Sequence, residues 1–122
     1  MPRYVLLRHD TPADPNRPVH WDLMLESEGV LWTWALPEVP TANTSINCER
    51  LADHRIAYLD YEGPISGDRG EVRRVMSGEF DFEDVFDDRI RLLATGGELP
   101  MQVELVRQAD SQRWIVKLDD GK

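Results

Sequence analysis

The chain has one cysteine, Cys48, and only two lysines among its fourteen basic residues. A lone thiol excludes an internal disulfide, so no covalent staple holds the core. No apolar run is long enough to span a membrane, and no amino-terminal apolar segment has the form of a secretion signal. These absences predict a cytoplasmic protein without membrane association. Long amphipathic helical patterns, internal repeats and linkers are also missing, which leaves a strand-built chain of one domain, 1–122, expected as a monomer. A domain of this length buries roughly two-thirds of the surface its unfolded chain exposes, so folding requires neither a disulfide nor a structural metal.

The formal net charge is -9. Such an acidic field repels phosphates, which excludes nucleic-acid binding through the surface as a whole and restricts any such contact to a local patch. Twelve of the fourteen basic residues are arginine, the side chain best suited to forked phosphate capture. Arg3, Arg8, Arg50, Arg55, Arg69, Arg73 and Arg74 are the candidates. Six of the ten residues from Glu79 to Asp88 are acidic, a composition that reads as a solvated loop interrupted by Phe80, Phe82, Val85 and Phe86. Asn43-Thr44-Ser45 matches a glycosylation acceptor, which has meaning only in a secretory compartment, and is read as a polar loop.

Short apolar or alternating segments predict strands over Arg3–Arg8, Val19–Glu26, Val30–Leu36, Ala57–Tyr61, Glu71–Met76, Arg89–Ala94, Met101–Arg107 and Arg113–Leu118. Ser27-Glu28-Gly29 joins the second and third as a hairpin, while Gly96-Gly97 and Asp110-Ser111 precede the last two. Cys48–His54 has room for one helical turn, and Pro37–Asn47 reads mostly as loop. The pattern predicts a mainly β fold, a small antiparallel β-barrel or sandwich with short helical turns.

Within it, Val19-His20-Trp21-Asp22-Leu23-Met24-Leu25-Glu26 alternates strictly. Val19, Trp21, Leu23 and Leu25 take one face, and His20, Asp22, Met24 and Glu26 the other. His20 and Asp22 then lie about 7 Å apart along the backbone, a spacing from which an imidazole and a carboxylate can lean onto one cation. A half-buried strand with a wet face explains the same pattern without a metal. The only other histidines, His9 and His54, also stand at strand ends or beside loops. A His, His, Asp set with open positions suits Mn or Zn and can polarise a phosphorus centre. Histidines scattered singly are equally compatible with surface or capping roles.

Tyr4-Val5-Leu6-Leu7-Arg8-His9 resembles the strand and Arg-His pair that open histidine phosphatases. That family places glycine after the histidine and needs a larger α/β domain, whereas Asp10 follows here in a short, strand-rich chain. A longer resemblance comes from His9, His20-Trp21-Asp22-Leu23-Met24-Leu25-Glu26, Gly29-Val30-Leu31-Trp32-Thr33-Trp34-Ala35 and Asp53-His54-Arg55-Ile56-Ala57-Tyr58-Leu59-Asp60-Tyr61-Glu62-Gly63. It continues through Gly67 to Gly70, Ser77-Gly78 and Arg113-Trp114-Ile115-Val116-Lys117. In this order the segments resemble the 3'-phosphoesterase domain of bacterial DNA ligase D. The segments also resemble short stand-alone relatives in which His-Trp-Asp-Leu-Met-Leu-Glu replaces His-Tyr-Asp-x-Arg-x-Glu.

The resemblance implies a compact β-barrel with a manganese site, Zn or another divalent transition metal being the alternative. It further implies removal of a 3'-terminal ribonucleoside and then a 3'-phosphate from a DNA or RNA-DNA end, with DNA-repair proteins as partners. His9, His20 and Asp22 match the family's metal ligands, His54 its phosphate-contacting or acid-base histidine, and Tyr58 the tyrosine that orders the site. Arg50 precedes Leu51-Ala52 as the family's phosphate-binding arginine does, at a shorter interval from the histidine. Met24 stands where the ligase domain has arginine, a loss that Arg50, Arg55 or Arg69 would have to offset as substrate-binding cations. Glu38 replaces a lysine, and the Asp10–Val19 loop is longer. These departures keep a noncatalytic repair module on the same barrel, and a small-molecule phosphatase, as competing readings.

Overall fold

The computed structural model describes residues 2–11, 18–65, 69–100, 102–109 and 111–121. Residues 12–17 of the long loop, Gly67, Met101 and Asp110 fall outside them. Nine strands follow in chain order among the described residues: β1 (Arg3–Asp10), β2 (His20–Ser27), β3 (Val30–Leu36), β4 (Thr44–Arg55), β5 (Gly63–Pro64), β6 (Glu71–Phe86), β7 (Arg89–Gly97), β8 (Gln102–Arg107) and β9 (Arg113–Asp119). One 3-10 turn, Ile56–Leu59, lies between β4 and β5. The hydrogen-bonded order runs β1-β2-β3-β4-β9-β8-β7-β6, and β6 pairs back onto β1, so eight antiparallel strands close a ring. The expected mainly β, antiparallel architecture is therefore borne out. No helix among the described residues is long and apolar enough to cross a membrane.

Two long strands make the closure. β4 pairs with β9 over Thr44–Glu49 and with β3 over Glu49–Arg55, while β6 pairs with β1 over Glu71–Glu79 and with β7 over Gly78–Phe86. Each long strand thus hands over from one neighbour to the next along its length, and its register shifts mark the corners. Gly78 sits at the β6 corner, where a Cβ would collide with the Gly96 carbonyl and the Tyr4 hydroxyl. The buried Tyr4 hydroxyl clamps the same corner. It donates to the Gly96 carbonyl at 3.1 Å and accepts from the Leu99 N–H at 3.1 Å, which leaves no polar group orphaned there.

Alternation sends Tyr4, Leu6, Leu23, Leu25, Trp34 and Phe80 into the interior of the ring, where Trp114 meets Trp34 edge-on at 5.5 Å. A second, smaller layer lies on the reverse face of β1 and β2. Val5, Leu7, Met24, Leu31, Leu59 and Val72 form it. Hence β1 and β2 are buried on both faces, over Tyr4–Leu7 and Asp22–Leu25. The 3-10 turn covers this layer with Leu59, and a 2.8 Å ion pair from Arg3 to Asp60 ties the turn's end to β1.

Four expectations are corrected. Ala57–Tyr61 is no strand: Leu59 alone of Ile56–Leu59 is buried, and the 3-10 turn aims it at the second layer. Cys48–His54 is strand rather than helical turn, because Ile46 and Cys48 alternate into the interior and Cys48 pairs with Trp114. For the same reason Thr44–Asn47, read as loop, begins β4. The acidic stretch from Glu79 is ordered strand up to Phe86 and turns only at Asp87-Asp88. Its alternation places Phe80 and Phe82 against the core, with Trp32 at 5.5 Å from Phe82, while Glu79, Asp81 and Glu83 face solvent.

Candidate metal centre

The antiparallel register of β1 and β2 sets His9 directly opposite His20, and Asp22 follows two residues along on the same strand face. The two imidazole rings meet edge-on at 4.8 Å between centroids. One ligand-capable atom from each of His9, His20 and Asp22 falls within 4.8 Å of the others. The carboxylate is the buried member: Asp22 is 1% exposed, while both histidines are partly open. His9 Nδ1 lies 3.5 Å from Asp22 Oδ2, and His20 Nε2 lies 3.2 Å from Oδ1.

The opposite ring nitrogens define the tautomers. His9 Nε2 is 2.8 Å from the Arg69 carbonyl, and His20 Nδ1 is 3.4 Å from that of Pro18. A carbonyl oxygen can only accept, so these nitrogens carry protons, and the nitrogens facing Asp22 present lone pairs when the rings are neutral and donate toward the carboxylate when they are charged. With both rings neutral, three sets of lone pairs converge. Asp22 Oδ1 is buried without a hydrogen-bond partner, since the approach of His20 Nε2 is not an aligned bond. A buried acceptor lacking a donor is costly unless a cation completes it. Far-side imidazole N–H groups fixed on backbone carbonyls are also how metal-binding histidines are usually oriented. The donor set of two imidazoles and one carboxylate fits a divalent transition ion.

Burial pushes the Asp22 carboxyl upward, but the hydrogen-bonding and charge influence of His20 and His9 outweighs it and holds the group below the ordinary carboxylate range. The site is thus built to keep its anion. Gly70 brings the Arg69 carbonyl to His9: its φ is +91°, and a Cβ there would strike the Asp10 carbonyl.

A cavity of about 540 Å³ opens over this cluster. Met24, Leu51, Ile65 and Val72 give it an apolar floor, and His54, Arg55, Tyr58 and Arg69 stand around it. His54 repeats the tautomer logic. Its Nδ1 donates to the Ala52 carbonyl at 2.9 Å, which leaves the Nε2 lone pair available, and the Tyr58 ring packs edge-on at 5.7 Å. The shift in β3–β4 register between Leu31 and Thr33 places His54 on the cavity side.

Of the residues singled out from the sequence, His9, His20, Asp22, His54, Tyr58, Arg55 and Arg69 line this one cavity. Arg50 does not. Its guanidinium carbon lies 4.4 Å from the Trp34 ring centroid, with Trp32 and Trp114 at 5.6 and 5.7 Å, and its nearest anion is Asp53 at 3.9 Å. Burial lowers the Arg50 pKa, with Asp53 opposing the shift. Strand alternation turns Arg50 toward the interior core and its neighbour Leu51 toward the cavity. Met24 does line the cavity but is 1% exposed, so it acts there as floor. Sequence reasoning missed the anchoring carbonyls of Pro18, Ala52 and Arg69. No residue-type signal exists for a backbone oxygen.

The sequence matches the DNA Ligase D 3'-phosphoesterase domain family over residues 8–118. It is 33% identical over 105 residues to the multifunctional non-homologous end joining DNA repair protein LigD of Mycobacterium tuberculosis, an alignment covering 79% of this chain and 14% of that protein. The corresponding non-homologous end joining protein LigD of Mycobacterium bovis gives the same figures. That of Pseudomonas aeruginosa is 36% identical over 67 residues, covering 52% of this chain and 7% of its own length. The alignment with the mycobacterial proteins thus spans about one seventh of their length.

Proposed function

This chain belongs to the DNA ligase D 3'-phosphoesterase domain family, and we propose that it is a metal-dependent phosphoesterase that trims DNA 3' ends in repair. The observation that carries the proposal is the convergence of His9, His20 and Asp22, with imidazole lone pairs and a donorless buried carboxylate oxygen turned toward one point beneath an open cavity. Those three residues would hold the metal, with Mn as the first choice. When bound, it would neutralise phosphate charge and lower the pKa of water. His54 would accept the proton of the attacking water at Nε2, or donate one to a phosphate oxygen once protonated. Tyr58 would hold the His54 ring, and Arg55 and Arg69 would receive the phosphate from the rim. Arg50 would support the site by fixing the β4 backbone through its tryptophan contacts.

The net charge of -9 is compatible with this role because two arginines, Arg55 and Arg69, line the cavity and supply a local positive patch. The substrates would be a 3'-phosphate and a 3'-terminal ribonucleoside on a DNA or RNA-DNA end, and the partners proteins of end joining. The test is release of inorganic phosphate from a 3'-phosphorylated primer in Mn, with His20→Ala and His54→Ala as controls. Turnover at least a hundredfold above both variants is expected, and equal rates refute the assignment. Met24 in the apolar floor favours a second reading, a noncatalytic end-binding module, because no cationic fork stands at that position. Mn binding with no turnover on either substrate would select it.

A further inference from the structure

Beside the metal cavity lies a second one of about 300 Å³ that shares Arg55, Tyr58, Ile65 and Arg69 with it and adds Tyr61 and Pro64. We infer that this annex is a subsite for a nucleoside bonded to the phosphate, with the base packed on Tyr61 and the phosphate directed into the metal cavity. The inference rests on the phosphoesterase reading and names what else that site grips. The annex is at the lower end of small-ligand sites, whose volumes run from about 300 to 1,000 Å³, which suits one nucleoside.

Its chemistry is mixed in the way a nucleoside requires. Tyr58 and Tyr61 meet nearly at right angles, at 85° and 6.1 Å between centroids. His54, Tyr58 and Tyr61 therefore form an aromatic series leading outward from the metal cluster. Tyr61 is 40% exposed yet fixed, because its hydroxyl donates to the Pro64 carbonyl. An exposed, immobilised aromatic ring offers a π-face without the entropy of ordering a loose side chain, and nucleobases of any identity stack on such faces. Arg55 and Arg69 belong to both cavities, so their charge bridges the base region and the phosphate region. Ile65 and Pro64 supply the apolar remainder. An apolar ligand would have no use for the two arginines, and free phosphate none for the tyrosine wall.

The experiment is calorimetric titration of the Mn-loaded protein with inorganic phosphate, adenosine 5'-monophosphate and adenosine 3'-monophosphate. At least one nucleotide is expected to bind about tenfold tighter than phosphate, the size of one modest stacking contact. The tighter isomer distinguishes a departing nucleoside, joined through its 5' oxygen, from a retained one, joined through its 3' oxygen. Tyr61→Ala should abolish the advantage while leaving phosphate affinity within about twofold, and Tyr61→Phe, which keeps the ring, should retain most of it. Nucleotides that bind no tighter than phosphate, or an advantage that survives Tyr61→Ala, overturn the subsite and leave the phosphoesterase proposal standing. Failure of phosphate itself to bind overturns both.

Discussion

Replacing Asp22 by asparagine separates a metal ligand from a structural carboxylate. The two side chains have nearly the same shape, and position 22 is 1% exposed with one oxygen lacking any donor. At pH 8 and without metal, Asp22→Asn gives up the stabilisation that a lowered carboxyl contributes there, and in exchange offers an N–H to the lone pair of His20 or His9. The metal-free variant should therefore match the wild type within about 1 kcal/mol, the scale of one net hydrogen bond. Saturating Mn changes the comparison. At a hundredfold excess over Kd, binding stabilises the folded wild type by about 2.7 kcal/mol. With an unfolding entropy of about 2.1 cal/mol/K per residue, that amounts to a rise of about 10 °C in Tm. Even the loss of an outer group that merely orients a ligand weakens metal sites by about 10–100-fold, so losing the sole anionic ligand should exceed that. The same Mn concentration would then sit at or below the variant's Kd, for a stabilisation of at most about 0.4 kcal/mol and a rise under about 2 °C. Differential scanning fluorimetry with and without Mn measures all four states. Equal Mn-induced shifts in the two proteins, or a metal-free variant weaker by more than about 3 kcal/mol, would sink the assignment of Asp22 as a ligand.

Tyr4→Phe should lower stability by about 1–3 kcal/mol in urea unfolding, because it leaves the buried Leu99 N–H without its acceptor and the Gly96 carbonyl without its donor. Burial pushes the Cys48 thiol up to about 12, so at pH 8 it stays neutral and shielded. Alkylation by iodoacetamide, followed by mass spectrometry, is expected only as fast as the protein unfolds; rapid labelling of the native form would contradict the burial of Cys48. Met24→Arg adds bulk to a closed apolar layer and should cost about 1–3 kcal/mol of stability. If its guanidinium reaches the cavity, phosphate release should rise about tenfold or more, since a cation aimed at developing phosphate charge lowers the barrier. Unchanged turnover in a folded variant would show that Arg55 and Arg69 already supply that charge.

Much of the site was legible because it is written in a local rule. Strict alternation over Val19–Glu26 separated His20, Asp22 and Met24 from Trp21, Leu23 and Leu25, and the structure keeps that division. The alternative of a wet reverse face does not hold. Asp22 and Met24 are as buried as the core, Met24 in the second layer with Leu59 of the 3-10 turn and Asp22 beneath His9 and His20. The acidic run from Glu79 was misread by composition, since its charges occupy the solvent face of a strand whose other face carries Phe80 and Phe82. Arg50 sits beside the right residues in sequence and on the other side of the sheet in space.

The residue order alone determined that strands would form, that their side chains would alternate, and which of them could share a face with His20. Such properties follow from the two-residue period of extended backbone and need no knowledge of any distant segment. Only the tertiary structure decided that His9 stands opposite His20, that β6 closes onto β1, and that Pro18, Ala52 and Arg69 offer the carbonyls that fix three imidazoles. Register and closure depend on pairing between strands far apart in the chain, where a slip of one residue would turn each of these side chains to the opposite face.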